Sequence, residues 1–129
     1  MPQDAHNVVV ILTVGKSDNG KNATLAFSCG LAATAVGHNA VVFLTSDGAV
    51  WGYSGSAQGI AVQGFPPLTE LIDNYLAAGG RLIMCSVCRN TCITGGPDAP
   101  PAAEVLSEAE DGGFTTVIDL ATDGTMVTF

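Results

Sequence analysis

Three of the four cysteines in this chain fall within eight residues, in the stretch Cys85-Ser86-Val87-Cys88-Arg89-Asn90-Thr91-Cys92. Three chemistries compete for thiols at this spacing. A single thiolate can accept a sulfur atom as a persulfide and hand it on, two neighbouring thiols can cycle through a disulfide, and three or four thiolates can hold zinc or an iron–sulfur cluster. Metal binding needs a fourth ligand. The fourth cysteine, Cys29, falls in the middle of an expected helix, and His6 and His38 stand where strands begin, at the far edge of a sheet from the cysteine loop. No metal and no cofactor is therefore expected. A thioredoxin-type redox site would open a helix after the first strand, whereas this motif follows the third. Cys85 is the leading nucleophile and Cys88 its first partner, with Cys92 as a further thiol. Arg89, beside the thiols, and Lys16 are cations able to favour a thiolate or draw in an anionic sulfur compound, and Asp47 can orient a ligand or cap a turn. Gly15-Lys16-Ser17 resembles the end of a phosphate-binding loop, but Val10 occupies the place of the upstream glycine that such a loop needs.

The elements that position these residues alternate along the chain. Val8 to Val14, VVVILTV, is a continuous apolar run closed by Gly15, as in a strand buried on both faces. Asn22 to Val36 follows as a helix crowded with small residues and ended by Gly37, and Ala40 to Thr45 is a second buried strand. From Ala49 to Phe65 the glycine-rich, aromatic sequence has no clear period and reads as a long loop or broken helix; its Trp51, Tyr53 and Phe65 could shield the thiol or pack on a neighbouring subunit. Pro66-Pro67 opens a helix with Leu68, Leu71, Ile72, Tyr75 and Leu76 at three-and-four spacing, and Gly79-Gly80 ends it. Arg81 to Cys85 is a third strand, so its carboxyl end delivers Cys85. Ala102 to Ala109 fits either a helix or a short strand at Glu104 to Ser107. A final parallel strand at Thr125 to Phe129 needs a crossover, which favours a helix near Gly113 to Thr122 over a strand at Phe114 to Leu120 with an Asp123-Gly124 hairpin turn. This order specifies an open, mostly parallel α/β sheet with helices on both faces. Ligands of such sheets bind beyond the strands' carboxyl ends, in the loops Gly15–Lys21, Ser46–Phe65 and Cys85–Gly96.

Composition narrows the function classes. The 129 residues fit a single domain spanning 1–129, with 47% hydrophobic and 12% charged residues, which excludes intrinsic disorder. Twelve acidic residues against four basic ones give a net charge of −8, and Lys16, Lys21, Arg81 and Arg89 form no cluster, so nucleic acid and anionic membrane are excluded as partners. The uncharged stretch Asn22 to Ser46 has the length of a membrane span, but Gly37-His38-Asn39 divides it into a helix and a strand. Met1 to Asn7 lacks the marks of a secretory signal, and the expected compartment is the cytoplasm. So few charges on a compact chain also predict apolar surface covered by copies of itself, that is, a homo-oligomer.

Four stretches resemble the DsrE/DsrF-like (YchN-like) family of small sulfur-relay proteins. They are the first strand with its Gly15-to-Lys21 loop, GHNAVVFLTSDGAV at Gly37 to Val50, PLTELIDNYLAAGGRLIMCSVC at Pro67 to Cys88, and the closing TMVTF. The resemblance implies a three-layer α/β sandwich around a flavodoxin-like sheet of about five strands, assembly into dimers, trimers or hexamers, and a helix before the last strand. It also implies a persulfide-carrying cysteine after the third strand, which falls on Cys85, with donor and acceptor proteins or small sulfane-sulfur compounds as partners. Many relatives carry a basic residue and a glycine after the cysteine turn, where this chain has Cys92 and ITGGPDAP. The expected function is thus a cytoplasmic sulfur carrier of sulfurtransferase type. The alternative is a thiol-redox or metal-binding oligomeric module using Cys85, Cys88 and Cys92.

Overall fold

The structure, a computed structural model, describes residues 5–87 and 104–129. Its strands are β1 (Asn7–Leu12), β2 (Asn39–Leu44), β3 (Arg81–Cys85), β4 (Ala109–Gly112) and β5 (Thr125–Thr128), and its longer helices are α1 (Lys21–Ala35), α2 (Leu68–Ala77) and α3 (Phe114–Ala121). The strands form one sheet in the order β4-β3-β2-β1-β5, with every neighbouring pair parallel. Right-handed crossovers dictate the layers. From β1 to β2 and from β2 to β3 the chain steps in one direction, so α1 and α2 lie together on one face and pack against each other. The return from β4 to β5 runs the other way and puts α3 on the opposite face, against β1. The result is the open parallel α/β sheet with helices on both faces expected from the order of elements, in the flavodoxin-like arrangement that the family resemblance implies.

Apolar runs make β1 to β3 the core, since Val9, Val10, Leu12, Val41 to Leu44 and Leu82 to Met84 are buried. Alternation and register sort them by face. Val10, Val42 and Leu82 are level with one another toward α1 and α2, as are Leu12, Leu44 and Met84 one step on, while Val9, Val41, Phe43, Ile83 and Cys85 turn toward α3. On the first face Tyr75 packs edge-on against Phe27, with ring centroids 5.6 Å apart, and its hydroxyl donates to the Arg81 carbonyl. Burial pushes this phenol far above its ordinary range.

Three local expectations are resolved or corrected. The Ala102–Ala109 alternatives both give way within the described residues: Val105 makes an isolated antiparallel bridge with Tyr53, and the fourth strand lies further on, at Ala109-Glu110-Asp111-Gly112. An edge position explains so polar a strand, because Glu110 and Asp111 face water and Arg81 reaches across to Glu110 at 2.9 Å. Phe114–Ala121 is helical, in line with the crossover argument. Asp123-Gly124 is no hairpin but the turn into β5, where a Cβ on Gly124 would meet the Asn7 carbonyl oxygen at 2.4 Å. The Ala49–Phe65 segment starts as the 3-10 helix Ser46–Gly52. Among the described residues, no helix is long and apolar enough to cross a membrane.

Candidate functional site

Parallel pairing brings the carboxyl ends of β1, β2 and β3 to one edge of the sheet, as the sequence predicts for the three candidate loops. Two of these loops are stitched together. The Gly48 N–H donates to the Thr13 carbonyl at 3.2 Å, and the Trp51 indole N–H donates to the Val14 carbonyl at 2.9 Å. Gly48 must be a glycine, since a Cβ there would meet the Leu12 carbonyl oxygen at 2.1 Å. The same corner is held by the chain returning at Glu104–Leu106, where the Ser54 N–H donates to Glu104 and the Leu106 N–H to Gly52, at 2.7 and 2.8 Å.

Trp51 is thus buried inside its own chain, at 1% exposure. It neither covers the thiol nor waits for a neighbouring subunit. Gly52 behind it abuts the sulfur of Met84, which points to the helix face that carries α1 and α2. Cys85 is the next residue and points the other way.

Cys85 closes β3 with only 4% of its surface exposed. It stands level with Gly112 of β4 and shares its face with Ile83. Gly113 leads from there into α3, whose Thr116 hydroxyl accepts from the Gly113 N–H at 3.4 Å. The absence of a side chain at Gly112 sets this packing, because a Cβ there would come within 2.7 Å of Ile83 Cγ2 and 3.4 Å of Thr116 Oγ1. Immediately after Cys85 the chain becomes helical, and both Ser86 and Val87 are exposed. The cysteine therefore sits at a boundary between packed strand and open surface. Gly112 and Thr116 were not singled out by sequence reasoning; the Gly112-Gly113 pair before an apolar helix is the only trace they leave.

The other candidates scatter. Lys16 is exposed and lines a cleft of about 350 Å³ with Asn19, Gln58 and Ile60, a wall that does not include Cys85. The start of α1 is closed to phosphate by the chain's own carboxylate, since Asp18 accepts from the N–H groups of Gly20 and Asn22 at 3.0 and 2.8 Å. These are the donors that a phosphate-binding loop would offer its ligand. Asp47 is exposed in the first turn after β2. His38 lies at the opposite edge, where its Nδ1 accepts from the His6 N–H at 3.1 Å, in keeping with a structural role. Cys29 is half-buried in α1 and burial pushes its thiol up, so it stays a protonated packing residue. Cys88, Arg89 and Cys92 lie outside the described residues. Among the described residues no three metal-binding side chains converge.

Comparison with known proteins agrees with this architecture. The sequence model of the DsrE/DsrF-like family matches residues 6–129. The fold is similar to the crystal structure of the ychN protein from E. coli, with a TM-score of 0.67 over 96% of this chain and 99% of that one, at 13% sequence identity. Among curated protein sequences none matches this chain.

Proposed function

Because the chain belongs to the DsrE/DsrF-like family, whose members are associated with sulfur relay, we propose that it carries sulfane sulfur as a persulfide on Cys85. The observation that carries this reading is the position of Cys85 at the carboxyl end of β3, on the edge where open α/β sheets receive ligands. In the first step the Cys85 thiolate attacks the outer sulfur of a donor persulfide. The new S–S bond forms as the donor's S–S bond breaks, and the donor leaves as a thiolate. In the second step an acceptor thiolate attacks the outer sulfur of Cys85–S–S⁻ and restores the Cys85 thiolate. No electrons are gained or lost overall, so neither metal nor redox cofactor is required.

Burial supports a carrier more than a fast catalyst. A persulfide held at a site with 4% exposure is screened from small thiols in solution that would strip it, and it is released when a partner opens the site. Cys88, three residues on, is our candidate for a competing resolution, in which its thiol attacks the inner sulfur of the persulfide, the Cys85–Cys88 disulfide forms as hydrosulfide leaves, and an external thiol reductant restores the two cysteines; Cys92 and Arg89 stand in support, and Lys16 and Asp47 are outlying polar groups. This reading places the protein in the reducing cytoplasm, where free thiols persist.

Intact mass spectrometry of the reduced, metal-free protein after exposure to polysulfide tests the proposal. A gain of one or more sulfur atoms, mapped to Cys85, removed by a mild thiol and abolished in Cys85→Ser, is the expected result. Undiminished loading of Cys85→Ser overturns the assignment. Loss of two hydrogens alone would make a disulfide switch among Cys85, Cys88 and Cys92 the better account.

A further inference from the structure

The cleft that Lys16 shares with residues 56–61 has no part in the thiol chemistry. Two short, hydrogen-bonded pieces of chain build it. On one side Lys16–Asp18 forms a single 3-10 turn, which the Asn19 N–H closes on the Lys16 carbonyl at 3.0 Å, with Asn19 in the left-handed region at φ 61°. On the other side three successive turns are closed by the N–H groups of Ser56, Gln58 and Ile60, which donate to the carbonyls of Tyr53, Gly55 and Ala57 at 3.3, 3.2 and 3.2 Å. Ile60 joins the two pieces. Its side chain fills the space over Gly20, where a Cβ would meet Ile60 Cγ2 at 2.5 Å, and its carbonyl accepts from the Leu68 N–H at the start of α2 at 2.9 Å. The walls are therefore held in place by the chain itself.

In a chain with twelve acidic residues and four basic ones, the composition of this lining is unusual. Among the described residues it holds one cation, Lys16, with the hydroxyl of Ser56 and the carboxamides of Asn19 and Gln58, and no carboxylate. Asp18, next in the chain to Asn19, spends its two oxygens on Gly20 and Asn22 at the start of α1. Ser56 adds an independent observation. It is only 4% exposed, and its hydroxyl has no hydrogen-bond partner among the described residues. The hydroxyls of Thr24 and Ser28 are in the same condition, but they lie within α1, where the carbonyl four residues back is at hand. Ser56 lies in a turn and has no such carbonyl. A buried polar group left unpaired is costly and rare, and an acceptor brought into the cleft would pair it, since a hydroxyl rotates to suit its partner.

We propose that this cleft binds a small anionic metabolite through a terminal phosphate or sulfonate group. Lys16 supplies its charge as a point, without the planar fork by which arginine grips a carboxylate. The neutral donors of Ser56, Asn19 and Gln58 then serve a rounder group with three outer oxygens. A volume of about 350 Å³ stands at the lower end of ordinary ligand pockets, so the anchored group leaves room for a small polar body. The site is separate from the start of α1, which Asp18 keeps closed, and from Cys85, which turns toward α3. It follows β1 at the edge of the sheet where folds of this kind take their ligands. It does not rest on the persulfide reading.

Titration of the isotope-labelled protein with sodium phosphate and, separately, with sodium sulfate tests the site, with amide chemical shifts as readout and ionic strength held constant with chloride. Saturable shifts confined to residues 16–19 and 56–61 are expected, with a Kd in the millimolar range, as befits a probe of about five heavy atoms. Tighter binding of phosphate points to a phosphorylated ligand, and tighter binding of sulfate to a sulfonated one. Lys16→Met should weaken binding about tenfold or more. Lys21→Met removes an exposed cation that does not line the cleft and should leave the Kd unchanged. Ser56→Ala should weaken binding about 2- to 10-fold without lowering the melting temperature of the ligand-free protein, because the hydroxyl it removes has no partner to lose. No saturation by about 50 mM of either anion, equal losses in the two lysine variants, or a lowered melting temperature with undiminished binding in Ser56→Ala overturns the proposal.

Discussion

Gly112→Ala probes what keeps Cys85 enclosed. Gly112 stands beside Cys85 in the register of β3 and β4, and the added methyl would sit 2.7 Å from Ile83 Cγ2 and 3.4 Å from Thr116 Oγ1. The second contact is close to ordinary, but the first requires movement. Ile83 is buried and branched at Cβ, so its Cγ2 cannot swing away without leaving its rotamer. Overpacking of this kind costs about 1–3 kcal/mol, offset by about 0.5–1 kcal/mol because alanine restricts the unfolded chain more than glycine does. The net destabilisation is about 1–2 kcal/mol, localised at β4 and the start of α3. If Cys85 is alkylated only when this corner opens, its labelling rate rises in proportion to the opening equilibrium, about 5- to 30-fold. Labelling with iodoacetamide under native conditions, quantified by peptide mapping, measures this directly. Cys29, in α1 on the opposite side of the sheet, is the internal control and should keep its wild-type rate. Unchanged labelling of Cys85 in a destabilised variant would refute the view that β4 and α3 gate the thiol, as would an equal rise at Cys29.

Two further predictions concern the frame around the site. Tyr75→Phe keeps the buried ring but removes the donor to the Arg81 carbonyl, which should cost about 1 kcal/mol and lower the melting temperature by about 3–5 °C in calorimetry. Arg81→Met removes the partner of Glu110, whose carboxyl is held below its ordinary range first by the hydrogen bond from the Arg81 guanidinium. A carboxylate pKa lowered on folding contributes stability above its unfolded value and loses it as pH falls through the folded one. The wild-type advantage over Arg81→Met should therefore be present at neutral pH and vanish in acid. Both side chains are nearly half exposed, so the difference should stay within about 1 kcal/mol and shrink with added salt.

The sequence made the centre of the sheet legible and left its margins obscure, for a physical reason. β1, β2 and β3 are buried on both faces, so the whole run must be apolar and can be recognised without any partner. α2 announces itself by prolines before it and glycines after it. β4 has no such signal. Ala-Glu-Asp-Gly becomes a strand only because β3 offers a free edge and Arg81 a counter-charge, and neither is local. Asp123-Gly124 has hairpin chemistry, yet its glycine is required by a carbonyl of β1 more than a hundred residues earlier in the chain. At the site, the cysteine motif and its place after the third strand were readable. The face to which Cys85 turns was not, because it depends on register across the sheet. That single parity separates the thiol from Trp51 and its loop.

A sulfur carrier has to satisfy two opposed demands, since the sulfur must be shielded in transit and reachable at each end. In the role proposed for it, the position of Cys85 would meet both through uneven stability across the sheet. Toward β2 the thiol is backed by the most deeply buried strands in the molecule, and nothing on that side can open without loss of the core. Toward β4 it is bordered by four residues, of which Glu110 and Asp111 face solvent and Gly112 contributes no side chain. Opening free energies follow buried apolar contact, so this corner yields first while β1 to β3 remain paired. A partner that grips the acidic edge with basic side chains would gain favourable charge contacts and loosen the neighbour of Cys85 in one act. Recognition and access would then be the same event, and the persulfide proposed on Cys85 would stay protected until an acceptor arrived.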